Sequence, residues 1–444
     1  MGLASPAYLA FGVSYMDESY EVVKGEELSY IAGPYSLSDP WDFCAPDKTP
    51  TAAGAAVIAS GSTLNCASSS DPVYRVVGVG SDGFPGFPPL FSEVYSRNSY
   101  AAYVDLSTDV TDALFLQAAV RYEKYSDFDT EIVGKIAGKY DFTDNFGLRA
   151  SVGTGFRAPT PGQQGTINVS TRLPDGVPVA TGLFPAGGAV ALALGSQPLK
   201  PETSLNFSAG ITSSFDSLSL TVDYYRIDVA DRMNAVSTRN VSTNPSAGIE
   251  YERYLALVAG GVEGAETIGG VLYFANAFDT ITEGVDVVAT YPLEWSNGSA
   301  TSLTASMNYN TTRFDSDPGA YLNVEAIYDF ENLDPKTRAV LSARHTMGDL
   351  TLMLRANGYG AYSNSNTISG ARYFQDYGSL VQYDLEAKYA FNENLSVTVG
   401  GRNITDKYPA KDTTGDATNG RIYESGGIID WQGGFYYLRL NASF

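Results

Sequence analysis

The chain has 444 residues, 28 of them basic and 50 acidic, for a net charge of −22; glycine (45), tyrosine (31) and phenylalanine (21) are abundant, cysteine (2) and histidine (1) scarce. Such a length suits two or three ordinary domains or one large barrel, and the acidic balance argues against a nucleic-acid partner, because phosphate binding needs a basic surface. No run of eighteen apolar residues offers a transmembrane helix, and the mean hydropathy of −0.11 fits a soluble protein or a transmembrane barrel, half of whose strand residues face water.

From the start, Met1 is followed by Gly2-Leu3-Ala4-Ser5-Pro6, with neither a basic stretch nor a cleavage site of a secretory signal. A first strand is expected from Tyr8 to Val23. Tyr100, Ala102, Val104 and Leu106 then alternate with Tyr103, Asp105 and Ser107, and a turn is expected at Thr108-Asp109-Val110-Thr111-Asp112. Leu114, Leu116, Ala118, Val120 and Tyr122 alternate with Gln117, Arg121 and Glu123. The strict period of two gives each segment one apolar and one polar face.

The unit recurs to the end. Ile132 to Phe142 and Phe146 to Val152 flank Thr143-Asp144-Asn145; Leu205 to Ile211 and Leu218 to Tyr224 flank Asp216-Ser217; Val285 to Tyr291 and Leu303 to Tyr309 flank Trp295-Ser296-Asn297-Gly298. Leu341 and Ala343 precede Met347-Gly348-Asp349, and Leu350 to Ala356 follow. Val381 to Tyr389 and Leu395 to Val399 flank Asn392-Glu393-Asn394, and Phe435 to Phe444 close the chain on a last alternating strand, with Tyr436, Leu438 and Leu440 on its apolar side. The total is about fourteen strands, an even number of crossing length.

Connections of three to six polar residues alternate with long ones at 25–96, 157–203, 232–271, 313–334, 362–379 and 407–430, the short Ser126-Asp127-Phe128 being the exception. That asymmetry predicts an all-β antiparallel transmembrane barrel with short periplasmic turns and long extracellular loops. Tyr122, Tyr125, Tyr140, Phe142, Phe146, Tyr389 and Phe391 are expected in interfacial girdles. Leu385, Val397, Leu438 and Leu440 should face lipid. Lumen carboxylates Asp105, Asp223, Asp384 and Glu386, with Arg149, Arg355 and Arg402, read first as a paired, solvated wall.

Cys44 and Cys66 share the first long loop, where a clamping disulfide in an oxidising compartment is expected, two free thiols being the alternative. No catalytic, cofactor or metal constellation is legible. His345, the only histidine, sits at a strand end beside a turn, which argues against a Ser-His-Asp site and a histidine-rich metal site. Gly78-Val79-Gly80 lacks the strand–helix context of a phosphate loop.

Four stretches carry a resemblance. Gly155-Phe156-Arg157-Ala158-Pro159-Thr160 resembles the Phe-Arg-Ala-Pro motif of TonB-dependent receptor barrels, and Leu199-Lys200-Pro201-Glu202-Thr203-Ser204 the Leu-Lys-Pro-Glu-x-Ser that follows it. Val222-Asp223-Tyr224-Tyr225 is similar to that family's Val-Asp-Tyr-Tyr segment, and Asn403-Ile404-Thr405-Asp406-Lys407-Tyr408-Pro409 to its Asn-Leu-Phe/Thr-Asp-Lys-x-Tyr-Pro, one residue short before the tyrosine. Phe444 fits the terminal signal read by barrel-assembly machinery. The order and spacing of these motifs over 100–444 make the match specific.

The resemblance implies an outer-membrane receptor of a Gram-negative cell. Its loops would capture a small-molecule ligand, such as an iron–siderophore, cobalamin or a saccharide. A TonB-type energy-coupling protein would act through a plug domain that is not visible here. Barrels of this kind have about twenty-two strands and a plugged lumen, so residues 1–444 are expected to be the C-terminal part of one, without the plug and the first strands. A passive porin and a barrel-embedded hydrolase are the alternatives; the substrate-binding residues are unknown.

Overall fold

The computed structural model describes residues 3–443 apart from 32, 34–37, 76–78, 80–84, 173–178, 369, 415–421 and 425. One sheet dominates. Its strands are β1 (Tyr8–Glu21), β2 (Val94–Thr111), β3 (Leu114–Tyr125), β4 (Thr130–Thr143), β5 (Phe146–Arg157), β6 (Glu202–Phe215) and β7 (Leu218–Ala235). They continue as β8 (Ile268–Glu294), β9 (Ala300–Phe314), β10 (Thr337–Met347), β11 (Leu350–Tyr359), β12 (Leu380–Asn392), β13 (Leu395–Arg402) and β14 (Phe435–Ala442). Each pairs antiparallel with the next, from β1–β2 to β13–β14.

At one end of this wall the strands are joined by short turns, such as Asp216-Ser217, Gly348-Asp349 and Glu393-Asn394. Asp216 (φ 48°) and Gly348 (φ 55°) take the left-handed backbone that so tight a reversal needs. The other end carries the connections 22–93, 126–129, 158–201, 236–267, 315–336, 360–379 and 403–434. Long connections therefore gather on one side, as the sequence pattern predicts. One turn differs from expectation. β2 runs on through Thr108 and Asp109 to Thr111, with a bulge between Asp109 and Thr111. The start of the chain holds Asp109 in the sheet: Ala4 and Ser5 donate backbone N–H groups to its carbonyl, and Ser5 Oγ donates to its carboxylate at 2.8 Å.

The two faces differ as the alternation demands. Leu385, Leu438 and Leu440 are 47%, 74% and 65% exposed, whereas Thr398 on the opposite face is 1% exposed; Val397 is half-buried. Single exposed leucines are unremarkable in water, but a whole face of them is an apolar patch that needs a non-aqueous neighbour. Tyr140, Phe142 and Phe146 cluster near the short turns, with ring centroids 4.9 and 5.7 Å apart in succession, and Tyr389 meets Phe391 at 5.1 Å. Tyr125 departs from the girdle reading: it is buried on the inner face, with the Arg97 guanidinium 4.8 Å from its ring centre. Tyr122 points the other way and is exposed, because a step of three residues along a strand reverses the face.

Inner-face tyrosines also fix the register. The Tyr225 ring lies across Gly284 on the adjacent strand, and its hydroxyl accepts from Asn308 Nδ2 one strand further on at 3.1 Å. Tyr437 crosses Gly400 in the same way and donates to Glu386 at 2.6 Å. A side chain at either glycine would occupy the volume of the ring, so each pair ties three strands together at one height.

The largest buried apolar cluster lies at the loop end, not inside the wall. Ile167, Phe184, Val190, Leu257, Val271 and Tyr273 form its centre. The strand Val179–Phe184 runs parallel to the first residues of β8, and the helices Ala189–Ala193 and Ile249–Ala259 complete the packing. At the wall's sides, β1 and β14 each have a neighbour on one flank only, and among the described residues no ladder joins them. Phe444 lies outside the described residues, as do Gly78 and Gly80.

The outer-face assignment makes a stability prediction. Leu385→Lys should destabilise the folded protein in lipid by about 2–4 kcal/mol if it lies near the bilayer midplane. Reversible urea unfolding from phospholipid vesicles would measure it, with Glu386→Lys on the inner face as the control expected to cost less.

Candidate functional site

The sequence motifs converge where the wall meets the loops. Arg157 ends β5 and Glu202 opens β6, directly opposite each other in register. The guanidinium forks onto the carboxylate through Nε and Nη2, both at 2.7 Å. Glu202 is nearly buried and also accepts the backbone N–H of Met233 on β7, so one carboxylate binds three strands.

The rest of the first motif turns the chain inward. Phe156 sets its edge against Tyr125, centroids 6.1 Å apart. Ala158 is buried, and the Pro159 carbonyl accepts from Arg97 Nη1, whose Nε also pairs with Glu18 at 2.7 Å. Thr160 then caps the short helix Pro161–Gly165 in a reciprocal box with Gln163. The second motif meets the same junction: Lys200 pairs with Asp231 at 2.8 Å, and Asn276 Nδ2 donates to the Lys200 and Asp231 carbonyls, both at 2.8 Å. Arg97, Glu18, Asp231 and Asn276 carry no signal in the sequence, since their partners lie 30 or more residues away in the chain.

The last motif is a polar knot at the end of β13. Asn403 takes a left-handed backbone (φ 48°), as does Asp406 (φ 51°). The Asn403 side chain donates to the Lys407 carbonyl at 2.8 Å and accepts the Lys407 N–H at 2.9 Å, and its own N–H reaches Asp384 at 2.9 Å. Asp406 accepts from Gly434 N at 2.9 Å, which closes the base of the 403–434 loop just before β14. These motif residues are pins that fix where each loop leaves the wall.

Above the pins, three loops stack in layers. The hairpin Tyr362–Ile368/Ala371–Tyr377 stands between the helix Val324–Asn332 and the 403–434 loop. On the helix side, Glu325 accepts from Thr367 N at 2.9 Å, Asp329 from Ser365 N at 2.7 Å, and Tyr328 meets Ser363 at 2.9 Å. On the other side, Asn364 donates to Glu424, Asn366 to Thr414 at 2.6 Å, and Tyr362 stacks on Tyr377 over Ile429. Burial, with Glu325 and Glu424 nearby, pushes the Asp329 carboxyl up to about 6. In the first loop, Cys44 and Cys66 form a disulfide with Cα atoms 5.5 Å apart. Tyr74 donates to the Cys66 carbonyl at 2.7 Å.

Along the inner face Arg149 pairs with Asp223 and Arg355 reaches Asp384 at 4.0 Å, while Gln117 donates to Asp105 at 2.8 Å. His345 meets Thr301 at 2.9 Å through Nδ1, and Thr301 accepts from Trp295 Nε1 at 2.7 Å. No group of three or more His, Cys, Asp or Glu side chains among the described residues is arranged to hold a metal ion. The arrangement can present a layered loop surface above a wide polar wall.

Comparison with known proteins agrees with this geometry. Residues 31–404 match the family model described as TonB dependent receptor-like, beta-barrel. The ferric enterobactin receptor PirA of Pseudomonas aeruginosa is 24% identical over 399 residues, covering 87% of this chain and 47% of that protein. A variant of the ferric enterobactin receptor PfeA from Pseudomonas aeruginosa, solved with enterobactin, superposes with a TM-score of 0.60 at 15% identity, over 100% of this chain and 53% of its own. The siderophore receptor PirA from Acinetobacter baumannii gives 0.57 at 15% identity, over 99% and 52%. These structural likenesses speak to fold, and the chain spans about half the length of the relatives it matches.

The loop stack should respond to pH. Asp329 binds its proton more tightly in the folded stack than at its ordinary value of 3.8. The advantage is therefore complete below about 4 and lost as pH rises through about 6. Hydrogen exchange at Ser365 and Thr367 is expected to be slower at pH 5 than at pH 8 after correction for intrinsic rates, and Asp329→Asn should remove that difference.

Proposed function

The chain belongs to the TonB-dependent receptor family through its β-barrel domain, and from that premise we propose that it is part of an outer-membrane receptor for energy-dependent uptake of a scarce nutrient. The observation that carries this reading is the pairing of a fourteen-strand wall, apolar outside and polar inside, with long loops confined to one end and pinned there by the family motifs. Capture would occur on those loops, at the extracellular end, and passage along the polar inner face. The two one-sided strands, β1 and β14, support a second part of the proposal: further strands complete the wall there, because unpaired backbone groups at membrane depth are costly. A plug domain that receives the energy-coupling protein belongs to the same reading.

Among nutrients, a metal chelate of the siderophore class is the best-supported substrate, since the relatives above are named as siderophore receptors; cobalamin and saccharides are the other classes. The decisive experiment is uptake of radiolabelled ferric chelates by cells in which this protein is the sole receptor. Accumulation that stops on dissipating the proton gradient or deleting the coupling protein is the expected outcome. Uptake that persists unchanged under both treatments would make the protein a passive channel.

A further inference from the structure

The charge of the chain is unevenly distributed. The seven connections at the loop end hold twenty-seven acidic and twelve basic residues, a net −15 of the chain's −22. Several of these carboxylates are engaged by neutral backbone donors, which orient a charge without cancelling it: Asp39 accepts from Phe43 and Cys44, Asp71 from Asn65 and Val73, Glu325 from Thr367, Asp329 from Ser365 and Glu424 from Gly426.

Four of the twelve loop cations are held against rings or backbone carbonyls, and six others, Lys24, Arg75, Lys200, Lys336, Lys407 and Lys411, are exposed. Lys48 lies over Tyr74 at 4.1 Å. Arg239 lies over Tyr273 and donates to the Ala320 carbonyl at 3.1 Å, while Arg253 donates to the Asn240 carbonyl at 2.8 Å. Arg372 sits between Tyr328 and Phe374, 5.3 and 4.6 Å from the ring centres, and donates to the Val324 carbonyl. The ion pairs seen among the described residues join side chains within the wall strands, apart from Lys200 with the wall residue Asp231. The wall charges are thus paired in part, and the loop end of this chain carries the larger share of its negative charge.

A surface of one sign raises the local concentration of oppositely charged ligands and repels like-charged ones, over a range of about 8 Å at physiological salt. We propose that the ligand class received at this end is a cationic metal complex, not a polyanionic one; this rests on the receptor reading above and names the charge of its substrate. The carboxylates held by backbone donors keep their charge, and the twelve basic residues of the same connections offset fewer than half of the twenty-seven acidic ones.

The test compares three ferric complexes on the protein purified in a neutral detergent: a linear trihydroxamate with a free amine, the same molecule N-acetylated, and a tris-catecholate. At low salt the amine-bearing complex should associate about tenfold faster than its acetylated form, and the advantage should vanish at high salt. Glu252→Gln with Asp334→Asn and Asp376→Asn, three exposed positions in three loops, should slow the amine-bearing complex about twofold at low salt and leave the acetylated one unchanged. Equal association of the amine-bearing and acetylated complexes, faster association of the tris-catecholate, or no binding of any of the three overturns the assignment. The receptor reading is judged separately, by the energy dependence of uptake.

Discussion

A strand in hydrocarbon has no water to satisfy its backbone, so each N–H and C=O must find a partner on a neighbouring strand. That constraint organises this molecule. It explains why the wall is one continuous antiparallel ladder, and why the strands are long and linked with so little irregularity. It also explains why the conspicuous irregularities sit at the rims, where bulges interrupt β2 near Asp109 and β8 near Phe278. With the backbone committed to the ladder, side chains alternate between two solvents. The hydrophobic effect, which in a soluble sandwich would draw Leu385 and Leu438 into a core, here leaves them on an outer face with nothing packed over them.

Among the described residues the one sizeable packed core lies beyond the wall, in the loops, where water returns and burial again stabilises. The connections are therefore folded structures in their own right. They are fastened to the wall by polar pins rather than by apolar contact: Arg157–Glu202, Lys200–Asp231 and the Asn403 knot each satisfy backbone or charge at a strand end. In the proposed receptor, capture of a ligand would depend on these pins indirectly, because they set where each loop starts.

Much of the wall was legible in the sequence because the two-residue period is a local property: Val381 to Tyr389 against Gln382 to Lys388 states its own two faces. Turn identities were nearly as plain at Asp216-Ser217 and Gly348-Asp349. The turn near Thr108 was misplaced because its polar residues look like a loop locally but are held in the sheet by Ala4 and Ser5, a hundred residues earlier. Tyr125 was misassigned because aromatic clustering near a strand end carries no parity of its own. The motifs around Arg157, Lys200 and Asn403 were visible as patterns, whereas their partners Met233, Asn276 and Gly434 come from distant segments that no local signal connects. The layered loop stack around Asp329 was not legible at all, since it joins three separate loops through side-chain-to-backbone bonds.

The central claim is that one face of the wall meets lipid and the other a polar interior. Spin labels placed singly at each position from 381 to 389 on β12, in bilayers, test it directly through oxygen accessibility. Alternation is expected, with high accessibility at 381, 383, 385, 387 and 389 and low accessibility between. Uniformly low values, or a period near 3.6 residues, would contradict the account.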